Sequence, residues 1–181
     1  MPLPERDFSH PHPLAPKELA QFAFLIGRWR CESRVLQADD SFATYHASRV
    51  GRYILDGWVI ADEFRQVAST GELMQLGENY RMYDRVRGLW MMKWLDALTG
   101  TWLDLGPESL GGVRVTDALI TYEHARPPGL SEGRFPSHTK FRNSFSNISH
   151  DHFTWRAEIS GDGGDLWRDV QVIESFRVEE P

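Results

Sequence analysis

In residues 27–37, GRWRCESRVLQ, charged side chains alternate with uncharged, mostly apolar ones as far as Val35, and this alternation decides the fold. Trp29, Cys31, Ser33 and Val35 fall on one face, while the charged residues between them fall on the other. A period of two is typical of an antiparallel strand with one face in the core and one face in water. The segment therefore predicts a half-buried β-strand that begins at Gly27.

Further strand candidates follow at short, regular intervals, separated by turn residues such as those of Asp56-Gly57 and Thr99-Gly100. They are 42–55, 58–68, 73–83, 89–96, 101–105, 112–122, 138–146, 152–160 and 168–178. About ten short strands joined by tight turns form either a sandwich or a barrel. The hairpin-to-hairpin order favours a mostly β, antiparallel up-and-down barrel, whose closure would remove the edge strands.

The chain before the first strand divides into two parts. Residues 1–15 are rich in proline and predict a flexible tail or a strap over the surface. Residues 16–25 predict a short helix with an apolar side, which could plug one end of the barrel. We expect one domain over residues 16–181, since this length suits a single hydrophobic core.

Composition excludes several classes of function. The net charge is −6, with 26 acidic and 20 basic residues, and no basic cluster of the kind that binds nucleic acid is present in the sequence. No run approaches the roughly 20 apolar residues that span a bilayer, so no membrane partner is expected. The single cysteine, Cys31, and an N-terminus unlike a signal peptide predict a cytoplasmic protein.

The segment FLIGRWRCES, in which a glycine–any–tryptophan turn opens the first strand, resembles the start of calycin-like β-barrel proteins. These include lipocalins, fatty-acid-binding proteins and nitrobindins, and the chain is most similar to bacterial calycin-like proteins of unknown function. The likeness continues in GRYILDGWVIADEF, YRMYDRVRGLWMMKWLDALTG and WRAEISGDGGDLWRDVQVIESFRV, and covers roughly residues 19–178. It implies a calycin-like barrel that takes a small molecule in its interior.

Nitrobindins bind haem through a histidine, so the resemblance also raises haem as an alternative ligand. Their first strand carries two further glycines, which let the haem ring approach the backbone, and is followed by a proline. The chain has Cys31 and Ser33 at the glycine positions and lacks the proline. We therefore expect no cofactor, with haem kept as the alternative.

Seven tryptophans and the apolar strand 89–96 indicate an aromatic interior. Large rings with a polar tip suit both a packed core and a ligand cavity, and the sequence leaves these two possibilities open. On the cavity interpretation, a small apolar or aromatic molecule is held by the following residues, of which the three polar ones would orient it: Trp58, Glu63, Tyr83, Trp90, Met92, Trp94, Trp102, Arg142 and Trp155.

An enzyme of the same fold is a second possibility. If Glu63 and Arg142 face each other inside the barrel, they could act as a general acid and an electrophile in an isomerase or cyclase. The sequence leaves open whether Glu63 or its neighbour Asp62 points inward. No catalytic residue is assigned from the sequence.

Two further expectations concern partners and metals. Strand 89–96 is apolar on both faces, which favours a homodimer or a covering N-terminal strap. His150 and His152 would share one side of a strand, but two ligands without a third do not define a metal site. We therefore predict no metal.

Overall fold

The alternating strands assemble into one antiparallel sheet. A computed structural model describes residues 9–106, 113–116, 118–124, 126 and 136–179. In these ranges eleven strands form a single sheet that curls into a half-barrel. The strands are β1 (Gly27–Leu36), β2 (Phe42–Ile54), β3 (Val59–Val67), β4 (Leu73–Asp84), β5 (Leu89–Asp96), β6 (Thr101–Asp104), β7 (Arg114–Val115), β8 (Leu119–His124), β9 (Lys140–Ser146), β10 (His152–Ser160) and β11 (Arg168–Val178).

Strand β1 carries the alternation that the sequence indicated. Trp29, Cys31 and Ser33 are buried, whereas Arg28 and Arg30 are exposed. The strand lies at the centre of the sheet, between β2 on one side and the last strand, β11, on the other. The first strand thus pairs with the last, and the sheet curls around a common interior.

The strand order is β6-β5-β4-β3-β2-β1-β11-β10-β9-β8-β7. Consecutive strands therefore pair everywhere except between β6 and β7, and β1 pairs in addition with β11. The predicted fold class, antiparallel up-and-down β structure with a short N-terminal helix, is confirmed. The predicted strand 112–122 is instead two strands, β7 and β8, which raises the number to eleven. In the described ranges β6 and β7 remain the outer strands of the sheet. With four and two residues, they offer few backbone groups for a closing ladder.

A 3₁₀ helix over Lys17–Leu25 closes one end of the half-barrel. Its buried side chains, Leu19, Phe22 and Leu25, point into the core. Trp29 donates its indole N–H to the carbonyl of Leu25 at 3.0 Å, which ties the helix to the first strand. Because a 3₁₀ helix of this length is unusual, packing and not helix propensity holds it in place.

Aromatic rings fill the half-barrel next to this helix. Phe22 lies edge-on to Trp90, with ring centroids 4.8 Å apart, and Phe24 lies edge-on to Phe153 at 5.2 Å. Edge-to-face pairs of this kind add to the free energy gained from burial. The helix end of the half-barrel is therefore a packed core, which is one of the two possibilities that the sequence left open for the interior.

The outer face of β4–β6 keeps several apolar side chains in contact with water. Met74, Met82 and Trp102 are all exposed there. The homodimer expected from the apolar strand 89–96 stays a prediction. In the described residues no helix is long and apolar enough to cross a membrane.

Gly51 permits the close approach of the helix end to β2. A Cβ atom at this position would lie 2.0 Å from the carbonyl oxygen of Leu25, which is backbone and cannot turn away. We expect Gly51→Ala to lower the free energy of unfolding by about 1–3 kcal/mol, the usual cost of overpacking, as measured by urea denaturation.

Gly161→Ala is the matched control, because nothing lies within 4 Å of the added methyl group. It should leave the free energy of unfolding within about 0.5 kcal/mol of the wild-type value. Equal stability of the two variants would contradict the close packing of the helix on β2.

Candidate functional site

A cavity of about 860 Å³ lies beyond the aromatic core, toward the end of the half-barrel away from the helix. Its apolar wall comes from strands on opposite sides of the curled sheet. The apolar and aromatic residues that line it include Phe64, Trp94, Leu103, Leu105, Phe141, Trp155 and Ile173. The interior is therefore a packed core at one end and a cavity at the other.

The position of Trp94 depends on a glycine in the neighbouring strand. A Cβ atom on Gly77 of β4 would lie 2.3 Å from Cζ2 of the Trp94 ring. Since no larger residue would fit there, the glycine lets the indole lie against the β4 backbone. Glycine in a strand interior often marks such a close approach.

Three turns surround the open end of the cavity: those between β1 and β2, β5 and β6, and β10 and β11. Asp40 in the first turn accepts a hydrogen bond from Arg168 at the start of β11, at 2.8 Å. In the second turn, Asp96 accepts bonds from the backbone N–H groups of Leu98 and Thr99, at 2.9 and 3.1 Å. The charged groups at the mouth are thus engaged with partners and exposed to solvent.

The inner end of the cavity is formed by a buried ionic cluster. The carboxylate of Asp62 accepts hydrogen bonds from the guanidinium groups of Arg49 and Arg81 and, at 3.1 Å, from the side-chain amide of Asn79. Asp62 is fully buried, and Arg49 and Arg81 are only 3% and 1% exposed. Arg49 and Asn79 line the cavity, whereas Arg81 lies behind them, against the core.

The surroundings of this cluster compensate only in part for its burial. Burial lowers the pKa of Arg49, and it lowers the pKa of Arg81 to about 10. Arg49 lies over the ring of Phe64, and Arg81 over that of Phe22, each 5.3 Å from the ring centroid. Such cation–π contacts favour a desolvated guanidinium.

Of the residues predicted from the sequence, Trp94 and Trp155 line the cavity. Trp90 and Met92 lie deeper, in the aromatic core, where Trp90 donates its indole N–H to Gln21 of the helix at 3.0 Å. Tyr83 packs edge-on to Trp90, with ring centroids 5.6 Å apart. These three residues support the cavity from the core side and do not line it.

The structure decides between Asp62 and Glu63, whose directions the sequence left open. Asp62 points inward and Glu63 is exposed on the outer face, because the strand alternates and Asp62 shares a face with Phe64. Arg142 does not meet Glu63 either. It pairs with Glu158 across β9 and β10, with Nε 3.0 Å from the carboxylate, and lies 4.0 Å from the ring centroid of Trp167.

Trp58 and Trp102 also lie outside the cavity, with 39% and 53% of their surface exposed. Trp58 follows the turn between β2 and β3, where its ring stacks on His12 at 5.0 Å. Trp102 alternates with the inward residues Thr101 and Leu103 of β6 and so faces outward, beside Tyr80. The adjacent turn sets the direction of Trp58, and the alternation of β6 sets that of Trp102.

The structure places Arg49, Asn79 and Arg81 around Asp62, and none of these three was among the residues predicted from the sequence. The strand phase carries a signal for Arg49, because it shares a face with Gly51 and Tyr53, which are both buried. Cys31, also on the inward face, bonds to Ser175 at 3.4 Å, and burial raises the pKa of its thiol. In the described residues no group of three or more histidine, cysteine or carboxylate side chains could hold a metal ion.

Comparison with known proteins shows the fold and no closer relationship. The sequence matches no protein family and no curated protein. The structure is similar to that of Rv2717c from M. tuberculosis, with a TM-score of 0.63 and 14% identity over 91% of this chain and 99% of that one.

It is also similar to the S-type phycobiliprotein lyase CPES from Guillardia theta, with a TM-score of 0.52 and 8% identity over 92% of this chain and 99% of that one. Identities this low show the fold alone. The chain therefore shares its half-barrel fold with these two proteins, and within this fold it has a cavity that ends on a buried ionic cluster.

We expect Asp62→Asn to lower the free energy of unfolding by about 3–5 kcal/mol. The change leaves two buried guanidinium groups without a carboxylate, and breaking a buried ion pair costs about this much. Urea denaturation, followed by circular dichroism, measures the effect.

Glu63→Gln is the control at the next position along the strand. Because Glu63 is exposed, its change should stay within about 0.5 kcal/mol. A larger loss in Glu63→Gln than in Asp62→Asn would contradict the inward direction of Asp62.

Proposed function

We propose that the chain binds a small molecule with an apolar, aromatic or aliphatic body inside the half-barrel. The cavity of about 860 Å³ carries this proposal, because it falls within the range of about 300–1,000 Å³ that is typical of small-molecule sites. A core that had no ligand to accommodate would close such a space, since protein interiors pack to nearly crystalline density.

The lining supports the same proposal. Trp94 and Trp155 offer broad aromatic faces, and Leu103, Leu105 and Ile173 add aliphatic surface. Polar side chains also line the cavity, among them Arg49 and Asn79 at the inner end, His124 and Asn143 on the wall, and Arg168 at the mouth. Sites for small molecules commonly combine such apolar walls with a few polar groups that fix the ligand's orientation.

The geometry favours binding over the isomerase or cyclase alternative. That alternative requires an inward acid that can reach a ligand, and Glu63 lies on the outer face. The inward acid, Asp62, is fully buried and accepts bonds from three side chains. Glu158 contributes to the cavity wall, but its carboxylate bonds to Arg142 and Ser144.

Ala157→Trp tests the proposal by filling the cavity. Ala157 lines the wall, so an indole at this position should occupy the space that the ligand needs. We expect the affinity for the neutral fluorescent probe N-phenyl-1-naphthylamine to fall at least tenfold relative to the wild type, as measured by fluorescence titration.

Ser48→Trp is the matched control, because it adds the same ring to the exposed face of β2. The probe should bind this variant as tightly as it binds the wild type. If the wild type shows no saturable binding of the probe, or if both variants lose it equally, the proposed cavity site is wrong.

One observation favours haem as a second candidate. Among the described histidines, His124 is the one that lines the cavity, and it lies near Phe141 with ring centroids 6.0 Å apart. Imidazole is a common axial ligand of haem iron. The donor present therefore fits the group, which would be held by His124 at the wall formed by β8 and β9.

Haem titration separates this candidate from the first. If it is right, added haem should give a sharp Soret band with the wild type, and His124→Ala should lose the band while it still binds N-phenyl-1-naphthylamine. A wild-type spectrum identical to that of free haem would exclude haem as a ligand. A band that persists in His124→Ala would exclude His124 as its ligand.

A further inference from the structure

We propose that the ligand carries an anionic head group, a carboxylate, that contacts the guanidinium of Arg49 at the inner end of the cavity. This inference rests on the proposed binding function and names the chemical class of the ligand. It follows from the charges, hydrogen bonds and shape of the site.

The ionic cluster is not balanced in charge. It contains two guanidinium groups, those of Arg49 and Arg81, and the single carboxylate of Asp62. Two other titratable groups lie next to the cluster, the thiol of Cys31, whose pKa is raised by burial, and the hydroxyl of Tyr122, which hydrogen-bonds to Arg81. Neither of them adds a second carboxylate to the cluster. Buried charge is costly unless it is paired, so one further anion would stabilise this end of the cavity.

The hydrogen bonds of Arg49 lead to the same conclusion. A guanidinium has five N–H donors, and the Nη1 atom of Arg49 donates to Asp62. Its Nε atom is buried and has no hydrogen-bond partner among the described residues. Only 3% of Arg49 is exposed, yet the residue lines the cavity, so we expect an anion at the inner end of the cavity to bond to this guanidinium.

The other charged groups that line the cavity are already engaged. Arg168 pairs with Asp40 at the mouth, and Glu158 pairs with Arg142. Asp96 accepts hydrogen bonds from two backbone N–H groups of the turn between β5 and β6. Arg49 is therefore the cation against which a buried anion gains most, because a charge-assisted hydrogen bond is strongest where water is excluded.

The cavity sets the direction of the ligand. The wall between the mouth and Arg49 carries Trp94 and Trp155 beside polar side chains such as Asn143, so an acid that enters head first would lay its apolar body along the two indole rings. An aliphatic or aromatic monocarboxylic acid fits this site, because its carboxylate would meet Arg49 and its apolar body would contact the two tryptophans. A neutral molecule of the same length would leave the cluster unbalanced.

The test compares dodecanoate with dodecan-1-ol, which share an apolar chain and differ in the head group. Both are titrated at pH 8 as competitors of N-phenyl-1-naphthylamine on the full-length protein. We expect dodecanoate to bind the wild type at least tenfold more tightly than dodecan-1-ol.

Arg49→Met should weaken the binding of dodecanoate at least tenfold and change that of dodecan-1-ol less than threefold. This variant leaves one guanidinium, Arg81, facing one carboxylate, Asp62, so its ionic cluster is balanced. Arg168→Met removes the cation at the mouth, which is more than half exposed, and should leave the preference for dodecanoate unchanged.

Each contrary result is distinguishable. Equal affinities of the wild type for acid and alcohol would overturn the anionic head group and leave the binding function standing. Loss of the preference in Arg168→Met would overturn the inner position of the head group. If N-phenyl-1-naphthylamine itself does not bind the wild type, the binding function fails. Should circular dichroism show Arg49→Met to be unfolded, the wild-type ratio and Arg168→Met still decide the question.

Discussion

The carboxylate of Asp62, held between the guanidinium groups of Arg49 and Arg81, is the interaction on which the interior of the half-barrel depends. The three residues come from β2, β3 and β4, so their bonds tie adjacent strands together at one level of the sheet. A pair buried this deeply is strongly destabilised when one partner is lost. The cluster therefore fixes which side chains of these strands can point inward.

The same cluster separates the two halves of the interior. On the helix side, rings such as Phe22 and Phe153 pack edge to face and leave a solid core. On the other side lies the cavity, with Arg49 at its inner end. Covering a guanidinium with apolar atoms alone costs free energy. A cavity beside Arg49 avoids this cost, because a polar group of a ligand can enter it and contact the guanidinium. Core, cluster and cavity thus form three successive levels of one structure.

Local patterns in the sequence predicted the local features of the fold. The alternation of residues 27–37 gave the first strand and its inward face, and turn residues located most of the hairpins. Two of the predicted binding residues, Trp94 and Trp155, lie on the cavity wall because each follows a regular strand phase. Whether the predicted residues contact a ligand stays a prediction.

The remaining differences arise from contacts between strands. In WVIADEF both phases contain buried residues, Ile60 on one and Val59 and Ala61 on the other, so the direction of Glu63 was ambiguous. The cluster around Asp62 joins residues 13 and 19 positions apart, and only the register of three strands brings them together. Trp58 and Trp102 carry no local sign that they face outward.

The most direct test of a ligand-binding cavity is native mass spectrometry of the intact protein, incubated with an equimolar mixture of dodecanoate and dodecan-1-ol and then denatured. The account predicts one added molecule per chain, mainly dodecanoate, which is released when the chain unfolds. Adducts of several molecules in a statistical series, or a spectrum of the bare chain only, would contradict a single internal site.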